Sequence, residues 1–205
     1  MSHYFTNDDV PSKLERKLVN IGDKTFNFFT DNGVFSKKGL DFGSRTLIDT
    51  LLTCNIKGDV LDVGCGYGVI GIVISSFFDA KIDMVDVNKR AIHLAKMNIK
   101  ENGVKNIAAF ESFCYQNINK KYDIIITNPP IRAGKKVVYE ILFDAKQHLK
   151  ENGVLYFVMN KDQGAKSTMK DLSEIASVEV LTKNKGFFVI KCIFNWQLDW
   201  FMVII

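Results

Sequence analysis

Histidine and cysteine are scarce in this chain and scattered: three histidines (His3, His93, His148) and four cysteines (Cys54, Cys65, Cys114, Cys192) in 205 residues. With no CxxC pair and no histidine cluster, nothing has ligand spacing, so no metal site is expected. The cysteines read as reduced, buried thiols of a cytoplasmic protein. The opening MSHYFTNDD lacks both the basic and the apolar region of an export leader. No apolar run approaches the ~20 residues that cross a bilayer, so no membrane partner is expected. Repeats, low-complexity tracts and linkers are also missing. The expectation is one domain, with residues 1–42 as an N-terminal extension packed on a domain of residues 43–205. Only three prolines occur, and two of them are adjacent, Pro129 and Pro130.

A composition of 47% hydrophobic and 24% charged residues supplies enough apolar mass for a large single core. The net charge of +4 permits a nucleic-acid partner without requiring one. Where the cations sit therefore matters more than their sum.

Strand and helix signals alternate along the chain. The aromatics of KTFNFFTDNGVFS around Asn32-Gly33 predict a hairpin outside the main sheet. GSRTLIDTLLTC predicts a helix with Ser44 as its N-cap. Then come the strand DVLDVG, the apolar helix of GVIGIVISSFF, the strand KIDMVDV, and a helix from Asn88 to the stop at Asn102-Gly103. NIAAFE and YDIIITN are further strands, followed by a helix over roughly 136–150 that ends at Asn152-Gly153, and the strand VLYFVMN. A helix near 165–176 and two strands, SVEVLTK and FFVIKCIF, close the pattern. Such alternation predicts an α/β fold: a Rossmann-like, seven-stranded, mostly parallel sheet with helices on both faces, one antiparallel strand from the C-terminal hairpin, and a short N-terminal β-hairpin extension. The terminal NWQLDWFMVII has no assigned role.

Two loops carry chemistry. LDVGCGYGVIG (61–71) joins an apolar strand to a helix through Gly64, Gly66 and Gly68, at the strand end where open parallel sheets bind ligands. A dinucleotide fingerprint needs glycine at position 69, which is Val69 here, so that register fails. Twenty residues beyond Gly66, Asp86 ends the next strand, where a carboxylate can accept both hydroxyls of a ribose. Asn88 can supply the following helix cap. The second loop, DIIITNPPIRAGKK (123–136), stops a buried strand with two residues that lack an amide hydrogen or fix their own φ.

The spacing GxGxG with Asp62 two residues ahead resembles the cofactor loop of class I S-adenosylmethionine-dependent methyltransferases, and NPPI resembles the (N/D/S)PP(Y/F/W) motif of those that modify planar nitrogens. The resemblance implies S-adenosylmethionine held by Asp62, Gly64, Cys65, Gly66 and Gly68 in the loop, by Asp86 and Val87 at the ribose, and by Ser112, Phe113 and Asn128 further along. Phe113 aligns where many of these enzymes place an acidic residue against adenine, so either Glu111 or a backbone group substitutes. For transfer, Asn128 and the Pro129 carbonyl would accept the two NH protons of the target nitrogen, and Pro130 would keep them rigid. Ile131 stands where an aromatic usually stacks on the target; it can form an apolar wall, with Phe42 or Phe35 supplying the stack.

The further pattern VFSKKGLDFGSRTLI, DVGCGYGVIG, DVN, ITNPPIRAGK and a terminal hairpin, over about residues 20–194, is similar to the small-domain ribosomal-RNA guanine-N2 methyltransferase family. The resemblance implies N2 methylation of a guanine, with ribosomal RNA or the small ribosomal subunit as partner. Charge placement points the same way. Lys37, Lys38 and Arg45, with Phe42, lie before the first loop, and Arg132, Lys135 and Lys136 follow the second, flanking a pocket into which a base could be flipped. Two alternatives stand beside this reading. A protein glutamine methyltransferase uses the same clamp but carries an aromatic after the prolines and a helical N-terminal domain. A non-catalytic RNA-binding module is argued against by the intact set of Gly64, Asp86 and Asn128.

Overall fold

The computed structural model describes residues 11–37 and 39–196. Lys38 and residues 197–205, most of the unassigned C-terminal segment, lie outside them. The elements are β1 (Glu15–Ile21), β2 (Lys24–Thr30), α1 (Phe42–Leu51), β3 (Gly58–Val63), α2 (Val69–Phe77), β4 (Ala80–Asp86), α3 (Lys89–Glu101), β5 (Ile107–Glu111), β6 (Tyr122–Thr127), α4 (Lys135–Phe143), α5 (Ala145–His148), β7 (Leu149–Asn160), α6 (Ala165–Leu172), β8 (Ala176–Asn184) and β9 (Phe187–Phe194). Seven strands form one sheet in the order β5-β4-β3-β6-β7-β9-β8. β9 runs antiparallel to both of its neighbours, and the other pairings are parallel.

Alternation along β3 shows how the sheet acquires two cores. Val60 joins the apolar cluster that includes Leu47 of α1, Ile72 of α2 and Leu94 of α3. Leu61 and Val63, pointing the other way, join the cluster of Val138 and Leu142 of α4 and Leu172 of α6. A strand buried on both faces has no polar side, which is why DVLDV and YDIIIT read as near-continuous apolar runs.

The N-terminal hairpin is present, but its turn is not at Asn32-Gly33. β1 and β2 pair from Glu15↔Thr30 to Ile21↔Lys24, so the turn is Gly22-Asp23, with Gly22 at φ 55. Phe26 and Phe28 both lie within β2, packed inward, rather than on two arms of a turn. The outer edge of β2 is paired by a helix instead of a strand. Asn98 of α3 and Asn102, its C-cap, bond the backbone NH and C=O of Phe29 and Asn27, respectively, at 2.7–3.0 Å. Four residues of helix rise about 6.0 Å and two residues of strand about 6.8 Å, so the two side chains match the strand's repeat. Asn98 also donates to the carbonyl of Tyr67 at 2.8 Å, tying the hairpin to the loop after β3.

Two further boundaries differ from the sequence reading. The helix expected over 136–150 breaks at Asp144 into α4 and α5, and β7 takes up the chain at Leu149, before the Asn152-Gly153 turn. Between β3 and β6 the chain order reverses direction across the sheet, which opens a crevice at their carboxyl ends. Thr127 closes its floor, its hydroxyl donating to the Val63 carbonyl at 2.8 Å.

Candidate active site

A cleft of about 610 Å³ sits in that crevice, within the roughly 300–1,000 Å³ of small-molecule sites. Gly64 (φ 72) and Gly66 (φ 56) line it. A Cβ on Gly66 would meet nothing within 4 Å, so the space beside its backbone is open to a ligand. The rest of the loop works from beneath. Gly68 is buried, and a Cβ there would come within 3.2 Å of Ile72 and Met84. Gly71, which sequence reasoning passed over, matters for the same reason: a Cβ would lie 2.5 Å from the Met84 sulfur. Cys65 is buried and does not line the cleft, and burial pushes its thiol pKa well up.

Asp62 is also beneath the cleft rather than in it. Its side chain is fully buried, with Oδ2 accepting the amide of Gly71 at 3.0 Å and Oδ1 without a partner. Burial, with the Asp86 carboxylate nearby, pushes its pKa up to about 7.

Asp86, at the end of β4, does line the cleft. One carboxylate oxygen accepts the amide of Gly66 at 2.9 Å and the other that of Asn88 at 2.8 Å. It is therefore bolted to the glycine loop while its carboxylate still has accepting capacity left for a ligand hydroxyl. Burial raises its pKa against the pull of these amides and that of Val87. The cap of α3 is left to Asn88, whose side-chain oxygen accepts from Arg90 and Ala91 at 2.9 and 3.2 Å. Val87, Ser112 and Phe113 line the same end of the cleft, whereas Glu111 is exposed and outside the lining. Of the two alternatives for the position of Phe113, the lining thus contains no acidic side chain from β5.

Asn128, Pro129, Pro130 and Ile131 form the opposite wall. The amide of Asn128 donates to Ser44 Oγ at 2.9 Å and, more weakly, to Asp41 Oδ1 at 3.4 Å. Asp41 also fixes where α1 begins: it, and not Ser44, is the N-cap, accepting the Ser44 amide at 3.0 Å. A carboxylate only accepts, so the NH₂ group must face α1, and what Asn128 has left to offer is its carbonyl oxygen. Pro130 spends its own carbonyl on the amide of Ala133 at 2.9 Å, in the short 3₁₀ turn of Ile131–Ala133. That leaves the Pro129 carbonyl as the acceptor beside Asn128. Ile131 is half-buried and packs on the second core.

The predicted cations divide. Arg132 lines the cleft. Lys135 and Lys136 are exposed at the start of α4, Lys135 lying 4.5 Å from the Tyr139 ring centroid. Arg45 is spent on Asp49 of its own helix at 2.8 Å and on the Asn20 carbonyl at 3.0 Å, and it does not line the cleft. Lys37 bonds Asn32 at 2.5 Å and pairs with Glu15 at 3.4 Å, also off the cleft. Phe42 and Phe35 both line it. The sequence reading missed Gln163 and Phe187, which reach the cleft from after β7 and from the start of β9. Among the described residues no group of three or more His, Cys, Asp or Glu could hold a metal.

A seven-stranded sheet of this order, with a glycine loop and the Asp86 carboxylate on one side of the crevice and an Asn-Pro-Pro turn on the other, defines a class I S-adenosylmethionine-dependent methyltransferase. The model of the methyltransferase small domain family matches residues 25–191, and the chain belongs to that family. It is similar to the uncharacterized protein YbxB of Bacillus subtilis, 43% identical over 194 residues, 92% of this chain and 96% of that one. It is also similar to ribosomal RNA small subunit methyltransferase C of Haemophilus influenzae, 40% identical over 133 residues, 62% of this chain. The chain spans only about 40% of the length of that relative. In fold it matches a Thermus thermophilus 16S rRNA N2 G1207 methyltransferase solved with AdoMet and guanosine, at TM-score 0.76 and 22% identity, over 92% of this chain and 52% of that one.

Proposed function

We propose that this protein methylates an exocyclic nitrogen of a base, guanine N2 in small-subunit ribosomal RNA, using S-adenosylmethionine. The observation that carries the reading is the anchoring of the Asn128 amide by Ser44 and Asp41, which turns a neutral side chain into a fixed acceptor beside the Pro129 carbonyl. An exocyclic amino group has two NH protons and a delocalised lone pair. When that nitrogen attacks a methyl group, positive charge builds on it, and two preorganised acceptors stabilise the charge as it forms. The prolines cost the site nothing, since only acceptors are required, and their stiffness keeps the geometry in line.

When bound, the cofactor supplies an electrophilic sulfonium methyl group. Asp86 would hold its ribose hydroxyls, Gly64 and Gly66 would clear the backbone for its amino-acid arm, and the wall of Val87, Ser112 and Phe113 would take the adenine. Asp62 and Gly68 would act on that site only through the loop they support. The RNA reading draws on the named relatives together with Arg132, Lys135 and Lys136 beside the clamp.

The test supplies labelled S-adenosylmethionine with naked ribosomal RNA, assembled small subunits and release factor in separate reactions, and maps any label to the nucleoside. N2-methylguanosine in RNA is expected. Label in protein alone overturns the RNA reading, and normal cofactor binding with no label anywhere favours a binding module.

A further inference from the structure

Ile131 leaves the proposed target site without the usual aromatic after the prolines, and the structure offers one from elsewhere. Phe187, the first residue of β9, lines the cleft with its ring centroid 5.6 Å from that of Phe42, the planes tilted by 52°. Phe42 follows Asp41, which touches the Asn128 amide, so this aromatic pair adjoins the clamp. The place for Phe187 is cut to size: a Cβ on Gly43 would lie 2.9 Å from its Cε1. The turn that presents it is stiff. Lys185 (φ 44) and Gly186 (φ 84) both take the left-handed conformation of a tight hairpin. The Lys161 amide donates to the Gly186 carbonyl at 2.7 Å, pinning that turn to the end of β7.

The same turn is cationic. Lys185 Nζ lies 5.3 Å from the Phe42 ring centroid, Lys183 Nζ lies 5.5 Å from that of Phe188, and Lys161 is exposed beside Gly186. Aromatic faces interleaved with lysines suit an unpaired nucleotide, the ring stacking on the base and the cations meeting the phosphates. A purely apolar ligand would gain nothing from the lysines.

Resting on the reading of the clamp as a base-methylating site, we propose that Phe187, backed by Phe42, is the stacking wall for the target base of an RNA strand, and that Lys161 and Lys185 bind the phosphates on its flank. The cleft would then hold the base edge at Asn128 and Pro129 and its face at Phe187.

The experiment measures methyl transfer to 16S ribosomal RNA, with KM and kcat separated, cofactor binding by calorimetry, and the fluorescence of an RNA oligonucleotide carrying 2-aminopurine. Phe187→Ala is expected to lower kcat/KM for RNA about 10- to 100-fold, to leave the cofactor Kd unchanged, and to abolish the fluorescence change on binding. Phe187→Tyr and Phe187→Trp should restore both readouts and Phe187→Leu neither, which separates stacking from simple filling of space. Lys161→Ala with Lys185→Ala should weaken RNA binding and flatten its salt dependence. Wild-type kinetics in Phe187→Ala, or a Leu variant as active as Tyr, would overturn the proposal while leaving the methylation reading intact. A Phe187-dependent fluorescence change in a protein that transfers no methyl to RNA would do the reverse. Label confined to release factor would sink both.

Discussion

Ser44 accepts the side-chain amide of Asn128 at 2.9 Å across 84 residues of sequence, and Asp41 stands 3.4 Å from the same nitrogen. The pair ties the first turn of α1 to the proposed reaction centre. Ser44→Ala should lower kcat about tenfold, the scale of one hydrogen bond, without moving cofactor affinity. Asp41→Asn keeps a good N-cap but gives Asn128 a neighbour that can also donate, so the amide is free to turn over. Its melting temperature should stay near wild type while kcat falls. Steady-state kinetics beside calorimetry decide the matter, and unchanged kcat in both variants would refute the anchoring role.

The two walls of the crevice should separate in mutagenesis. Asn128→Ala removes the proposed acceptor of the target nitrogen and is expected to abolish transfer with cofactor affinity nearly intact. Asp86→Ala releases the Gly66 and Asn88 amides and the proposed ribose partner together, so cofactor binding should weaken by about 10- to 100-fold, as for two hydrogen bonds. Equal loss of cofactor binding in both variants contradicts the division.

Much of the fold was legible because it is local. Burial on both faces leaves a continuous apolar run for each central strand, and Asn88 and Asn102-Gly103 mark the ends of α3 in the letters themselves. The hairpin turn was misplaced because Asn32-Gly33 is a strong turn signal, yet the alternating Phe26 and Phe28 belong to one strand whose turn uses Gly22. Ser44 and Asp41 are both good caps by type. Only the three-dimensional course of the chain shows that Asp41 reaches the Ser44 amide while Ser44 turns to Asn128.

The site divides along the same line. Gly64, Gly66, Asp86 and Asn128 occur in short motifs, so their place in the cleft can be read from adjacent letters. Phe187 and Gln163 reach the cleft through the pairing of β9 with β7, and no spacing in the sequence ties them to Asn128. Arg45 shows the converse: a cation close in sequence to the cleft residues Asp41 and Phe42 pairs with Asp49 one helical turn away and lies off the cleft.

Asn98 should prove the most sensitive polar residue outside the cleft. It is fully buried and satisfies Phe29 N, Phe29 O and Tyr67 O at once. Asn98→Ala would strand three backbone groups, each costing about 1–3 kcal/mol when unpaired and buried. Because the lost bonds hold the hairpin to the glycine loop, we expect a large drop in thermal stability and faster amide exchange in β2 and in residues 64–68. Exchange raised uniformly across the sheet would point instead to a general loss of packing.

Asp62 should give the protein an inverted pH dependence. Its folded pKa of about 7 lies above the ordinary 3.8, so between those values the folded state holds a proton that the unfolded chain has released. Stability must then fall as pH rises through that window, and the contribution is gone above about 7. The carboxylates with lowered values, buried Asp31 and half-exposed Asp59 and Asp123, titrate below the window and do not mask it. His148, lowered by burial, works in the opposite sense as pH rises toward 6.5. The useful quantity is therefore a difference: the melting temperature of wild type minus that of Asp62→Asn, measured without cofactor from pH 5 to pH 8. Asn cannot ionise, so the difference should decline from pH 5 to about 7 and level off above it. A difference that stays flat would mean that the carboxyl remains ionised throughout, and that the unpaired Oδ1 finds a partner in solution.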